Sequence, residues 1–255
     1  GTGWSLSTHL NTFHPEEAGR EAAGSAIRTV GGECVKTGKY PVVFGNQPLA
    51  DIASNVLIPS LKLTSVNAYN TPFLRKLGLN ISSRNLNIYD DGSLPGEVGS
   101  KRITCEGIPT GRTDLIANGI LVGFLANSYF ANKFKNNIYT PIPRSGFRSS
   151  SLGRDYKKRA GISPTNVVIE GNNETSREDL IHQVQNGVYI GRIWYTYPIN
   201  GLAVGDFTST VIADSFLIKD GKLCAPLKPN SIRINTDIKN ILQNIIGITR
   251  EKRST

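Results

Sequence analysis

The chain contains no methionine, even at position 1, and only three cysteines and three histidines among 255 residues. The missing methionine is expected of a processed product, a fragment or a sequence whose methionines were lost, so function is expected to be shared with a missing portion. Cys34, Cys105 and Cys224 are odd in number and far apart, which excludes a disulfide framework and a Cys-x-x-Cys zinc pattern and favours a reducing compartment. His9, His14 and His182 are too scattered for a His-x-x-x-His or His-Glu-x-x-His helix face. His14 before Pro15 reads as a helix-start residue and His182 as a helix-surface residue. No run of about 18 apolar residues exists, and residues 1–10 lack the charged and apolar regions of a signal peptide. These absences predict a soluble, cytoplasmic chain. Gly-x-Ser-x-Gly and Gly-x-x-x-x-Gly-Lys-Ser/Thr are missing as well, and Gly201 to Gly205 lies between strand-like segments, where a turn is expected rather than a phosphate loop.

What is present describes a globular chain with a substantial core: 38% hydrophobic residues, 26 glycines and 13 prolines. Lys and Arg total 29 against 20 Asp and Glu, a net charge of +9. The excess is concentrated in residues 144–159, with six basic residues and one acid, and in Arg250 to Arg253. Such a distribution attracts polyanions, although neither segment interleaves aromatics as a nucleic-acid platform does, and solvated loops are the simpler reading.

Pro15, then Glu16 and Glu17, then Ala18, Ala22, Ala26, Ile27 and Val30 predict a helix over 15–30 with one apolar stripe, stopped by Gly31-Gly32. Tyr40 to Phe44 predicts a strand. A second helix is expected to open at Pro48, with Leu49, Ile52, Ala53, Val56 and Leu57 sharing one face, and to close at Pro59. Asn118-Gly119 and Asp220-Gly221, each between apolar runs, predict two-residue hairpin turns, because both central residues of such turns need φ > 0. Further strands are expected at 167–170 and 189–197. Ser176 with Asp179 resembles a capping box for a helix ending at Gly187, and a last helix from Thr236 is expected, with Ile238, Ile241, Leu242, Ile245 and Ile246 as its apolar face before Gly247. Residues 145–163 read as a loop inside one domain. Hairpins interspersed with helices, without regular β-α alternation or internal repeats, give an α+β fold with a mainly antiparallel sheet. Asp90-Asp91 could share a metal or a proton, but closing the turn at Gly92 is the more ordinary use. Cys105 beside Glu106, and Cys224 in a hairpin, read as small buried packing residues rather than nucleophiles.

The order and spacing of several pieces resemble the TldD/PmbA family of metallopeptidases, the so-called modulators of DNA gyrase. They are Asp90-Asp91-Gly92-Ser93-Leu94-Pro95-Gly96, Gly99-Ser100, Glu106-Gly107-Ile108-Pro109-Thr110 with Arg112-Thr113, and Leu115-Ile116 through Asn118-Gly119 to Gly123-Phe124-Leu125. Pro15 to Ala23, Gly38 to Val43, Gly205-Asp206-Phe207-Thr208 and Ile218 to Lys222, followed by Pro226 and Lys228, extend the likeness over nearly the whole chain. The resemblance implies the C-terminal portion of a longer protein, with residues 1–38 the end of a middle segment and 39–255 the C-terminal domain. It also implies a two-subunit assembly enclosing a chamber where unfolded peptides are cut. TldD-type subunits bind zinc through His-Glu-x-x-x-His on the helix after the Pro-Val-Val strand, completed by a cysteine near the C-terminus. Here those helix positions fall near Ser54 and Pro59, and the cysteine region is expected beyond Thr255. The chain thus resembles the PmbA-type partner, with no metal, cofactor or catalytic residue of its own. Its expected partners are a TldD-like zinc-bearing subunit or a second copy, and a peptide. Arg112, Thr113, Asp206 and Thr208, polar residues in apolar strand contexts within the best-matching pieces, are the candidate substrate contacts; a structural Arg112–Asp206 ion pair is the plainer alternative. A stand-alone protein holding nucleic acid on loop 144–159 is the competing reading, and an enzyme using Cys224 or Cys105 is a third.

Overall fold

A computed structural model of the chain describes residues 1–135, 140–148 and 155–254. Helix α1 (Pro15–Arg28) has Pro15 in its first turn with Glu16 and Glu17, and Arg28 in its last, matching charge to the helix dipole. The predicted stripe is covered only in part. Ala18 and Ala22 receive the chain's own N-terminus: a Cβ on Gly1 or Gly3 would lie 1.8 Å from the Ala22 carbonyl oxygen or 2.1 Å from that of Ala18. Ile27 and Val30, expected on the same stripe, are 73% and 77% exposed. The glycines lie closely on a face of small residues, which the two larger side chains do not share.

Strand β1 (Val42–Phe44) runs parallel to a later strand and leads into a helix that begins before Pro48 and continues through Pro59. It consists of α2 (Asn46–Ile52), a π turn (Ala53–Leu57) and α3 (Ile58–Ser60). Pro59 was expected to close it. The missing proline N–H costs least where a π turn has already displaced the regular i to i−4 ladder. Lys62 is extended between buried Leu61 and Leu63, and α4 (Leu63–Asn67) follows.

The central strands form an antiparallel sheet of β2 (Leu86–Asp91), β3 (Arg112–Ala117), β4 (Ile120–Leu121) and β7 (Val167–Gly171), in the order β4-β3-β2-β7. Asn118 and Gly119 turn between β3 and β4 with φ of 51° and 77°, as a type I′ turn requires. After α5 (Ser128–Phe134), β5 (Gly146–Phe147) pairs with β6 (Gly161–Ile162), so the described ends of the 145–163 loop are held together. Residues 149–154 of that loop lie outside the described residues.

Beyond β8 (Glu174–Thr175), Ser176 caps α6 (Arg177–Val184), its Oγ accepting the Asp179 N–H at 3.1 Å. The helix ends at Val184 rather than Gly187, because Gln185 has φ +60° and Gly187 already belongs to β9 (Gly187–Ile190). A Cβ there would lie 2.4 Å from the Pro41 carbonyl oxygen, so the parallel pairing with β1 requires glycine. The strand expected over 189–197 breaks at Gly191, and β10 (Arg192–Pro198) joins a different sheet, with β11 (Asp206–Ala213) and β14 (Arg233–Asp237) in the order β10-β11-β14. Strands β12 (Phe216–Lys219) and β13 (Lys222–Pro226), joined by Asp220-Gly221 at φ of 50° and 71°, complete the sheet β1-β9-β12-β13.

Helix α7 (Ile238–Gln243) is shorter than predicted. Asn244 ends it, its side-chain amide donating to the Asn240 carbonyl at 2.8 Å, and Ile246 is left exposed before β15 (Ile248–Thr249), which pairs with β8. Val56, Leu61, Leu115, Leu121, Leu125 and Phe207 are completely buried in one core that joins helix and sheets. The fold is therefore α+β with mostly antiparallel sheets. Among the described residues no helix is long and apolar enough to cross a membrane.

Candidate functional site

Three strands, β1, β7 and β14, are each outermost in their own sheet, and all three border one open groove of about 1410 Å³. Val42 to Phe44, Val167 to Ile169 and Arg233 to Thr236 form its strand walls. Ala50, Ala53, Ser54 and Ile58 of the long helix face it, with Lys62 just beyond. An outer strand carries backbone N–H and C=O groups that its own sheet leaves unpaired, which suits it to receive another extended chain.

Asp90 and Asp91 hold Thr165 and Asn166, which line one end of this groove. Both carboxylates are buried and hydrogen-bonded. Asp90 Oδ1 accepts the Thr165 N–H at 2.7 Å and the Thr165 hydroxyl at 2.9 Å, whereas Asp91 Oδ1 accepts the Ser93 N–H at 2.8 Å. Asn166 donates to the Asp91 carbonyl and accepts the Gly99 N–H, tying the Leu94 to Gly99 loop to the start of β7. Burial pushes the Asp90 carboxyl above the ordinary aspartate range, against the lowering effect of the two Thr165 hydrogen bonds. Asp91 thus closes the turn at Gly92 as expected, whereas Asp90 instead joins β2 to the distant Thr165.

The four predicted substrate contacts fall on two sheets, and none of them borders the groove. Arg112, exposed at the start of β3, pairs with Asp114 at 2.8 Å and lies 3.6 Å over the Tyr89 ring; the Asp114 hydrogen bond holds its guanidinium above the usual arginine range. Asp206 instead accepts the Asn200 backbone N–H at 3.1 Å and side-chain amide at 2.5 Å, so the alternative Arg112–Asp206 ion pair does not form. Thr113 and Thr208 are buried, and their hydroxyls have no hydrogen-bond partner among the described residues. The expectation that Cys105 and Cys224 are buried is corrected: Cys224 is exposed and Cys105 half-buried, and Cys34 is exposed as well. Cys224 lies on β13, the outer strand of its sheet, with its sulfur 3.6 Å from the Lys222 carbonyl.

His9, His14 and His182 are exposed, and no three His, Cys, Asp or Glu side chains gather as a metal site among the described residues. The helix positions that the resemblance associates with zinc lack zinc-binding side chains. Ser54 faces the groove with a hydroxyl, Pro59 supplies no side-chain donor, and the other residues of this helix lining the groove are Asn46, Leu49, Ala50, Ala53 and Ile58. This donor set does not fit zinc, which takes imidazole, thiolate or carboxylate ligands.

Two features of the site escaped the sequence reading. Lys62 stands in the groove although its neighbours are core leucines, and its only signal was a lysine alternating with two leucines. The other is a junction of distant segments. Arg192, 5% exposed, pairs with Glu21, and its guanidinium lies 4.0 Å from the Trp4 ring, which Arg253 also approaches at 4.6 Å. No local pattern reports contacts between such widely separated residues.

The model of the PmbA/TldA metallopeptidase C-terminal domain matches residues 37–255. An uncharacterized protein of Methanocaldococcus jannaschii is 28% identical over 89% of this chain and 50% of its own length. The metalloprotease PmbA homolog of Buchnera aphidicola is 24% identical over 97% of this chain and 50% of its own. Among solved structures, a proposed modulator of a DNA gyrase from Thermotoga maritima superposes with a TM-score of 0.81 at 25% identity, covering 97% of this chain and 53% of that one. TldE from Thermococcus kodakarensis gives 0.77 at 25% identity, covering 94% and 51%. The chain spans about half the length of the curated relatives it matches. With the family model matched from residue 37 to the last residue, the chain belongs to the PmbA/TldA metallopeptidase family.

Proposed function

We propose that this chain is a non-catalytic, PmbA-like subunit that holds an unfolded peptide as an added strand while a zinc-bearing, TldD-like partner, or a second copy in a related assembly, completes the chamber. The observation that carries this reading is the groove itself: three outer strands and a helix face without zinc ligands border the same space. An extended peptide pairing with an outer strand gains main-chain hydrogen bonds irrespective of sequence, which suits a substrate defined by being unfolded. Residues 1–38 are the end of a middle segment in this reading, and 39–255 form the domain that carries the groove. Arg112, Thr113, Asp206 and Thr208 lie outside the groove lining; in this reading Arg112 and Asp206 contact substrate from a second surface of the assembled chamber, and the buried Thr113 and Thr208 support the strands that carry them.

The test is reconstitution. Purified alone, the chain is expected to carry no stoichiometric zinc and to cut no peptide; hydrolysis should appear only when a histidine-bearing family partner is added. Turnover by the chain alone, or one zinc per chain lost on mutating His9 and His14, would contradict the reading. Steep salt dependence of DNA binding without any peptide binding would favour the polyanion alternative on loop 144–159.

A further inference from the structure

The groove contains a cation without a counter-ion among the described residues. Lys62 is extended, with φ −97° and ψ 140°, between Leu61 at the end of one helix and Leu63 at the start of the next. Both leucines enter the core, whereas Lys62 lines the groove. Its backbone is fixed from both sides, since the Leu63 N–H donates to the Leu125 carbonyl at 3.0 Å and the Leu125 N–H to that of Leu61 at 2.9 Å. The side chain is half-buried, and among the described residues its ammonium has neither an ion pair nor a hydrogen bond. Burial pulls it below the ordinary lysine range, with no carboxylate opposing that effect.

The other charges bordering the groove are occupied or solvated. Lys252 pairs with Glu170 and Glu174, and Arg253 with Glu21. Glu97 accepts the Ser254 hydroxyl, and Glu251 accepts the Arg177 N–H. Lys39 and Arg233 are exposed to water. A partly desolvated ammonium gains most from an incoming anion, because its lost hydration has not been replaced.

We propose that Lys62 anchors a carboxylate of the peptide held in the groove, supplied either by the peptide's C-terminus or by an acidic side chain. This rests on the peptide-groove reading and adds a register to it: main-chain pairing alone lets a peptide slide, whereas one fixed ion pair selects a position.

The experiment uses the whole chain and a labelled, short, unstructured peptide of Gly, Ser, Thr and Val in three forms: free acid, C-terminal amide, and amide with one internal glutamate. The wild-type chain is expected to bind at least one carboxylate-bearing form about tenfold more tightly than the uncharged amide. Preference for the free acid identifies the C-terminus as the source, and preference for the glutamate form identifies a side chain. Lys62→Met should erase the preference while binding the uncharged amide as the wild type does, and Lys62→Arg should retain it. Should Lys62→Met fail to fold, Lys62→Gln, polar and uncharged, takes its place. Equal binding of all three forms, or a preference that survives Lys62→Met or Lys62→Gln, overturns the role of Lys62 alone. No binding of any form by the wild-type chain overturns both this role and the groove reading.

Discussion

Asp90 is 2% exposed, yet its two hydrogen-bonded donors both belong to Thr165 and both reach the same oxygen, Oδ1. An asparagine could therefore keep both bonds without placing a charge in the interior. Because burial raises the folded-state pKa above the unfolded value, the folded chain binds this proton more tightly. Stability from this group is then lost as pH rises from the ordinary aspartate range through the raised value. Relative to wild type, Asp90→Asn should gain stability between acid and neutral pH, measured by chemical denaturation at both. A difference that is constant or runs the opposite way would contradict the burial argument. The turn-closing use of Asp91 was legible from Asp-Asp-Gly alone, since short carboxylates bond their own backbone nearby, whereas the bond of Asp90 to Thr165 is a long-range contact that no local pattern reports. The exposure of Cys224 was not, because residue type gives a preference for burial but not which face of an outer strand a side chain occupies.

Turns carried the most reliable local signal. Asn118-Gly119 and Asp220-Gly221 adopt the positive φ values that their residue types favour, and both hairpins form where expected. A Cβ at Gly119 would lie 2.6 Å from the carbonyl oxygens of Ser82 and Ser83. Gly119→Val is expected to lower stability by about 1–3 kcal/mol from backbone strain alone. An unchanged denaturation midpoint would show that the turn relaxes without cost. Helix ends were less legible. Apolar periodicity extended the last helix to Ile246, but Asn244 turns its side chain onto the backbone and stops it after Gln243. At Pro59 the error was reversed: a residue that normally ends a helix was accommodated behind a π turn, a feature with no composition signal.

The α+β class followed from the alternation of hairpins and helices, because local patterns decide which elements form. How those elements meet depended on long-range pairing. The strand at 189–197 divides between two sheets at Gly191, where a Cβ would lie 2.1 Å from the Asp214 carbonyl oxygen. The groove arises from that division, since β1 and β14 are outer strands of different sheets and β7 of a third. Trp4, Arg192 and Arg253 further bring both ends of the chain together, placing Arg253 and Ser254 along the same groove. Hydrogen exchange with and without a saturating unstructured peptide tests the central claim most directly, because strand addition protects the backbone amides it pairs with. Protection is expected along at least one outer strand, at 42–44, 167–169 or 233–236, with little change at 155–159 of the basic loop. Protection confined to the basic loop, or none in any of the three strands under saturating peptide, would contradict the assignment of this groove as the peptide site.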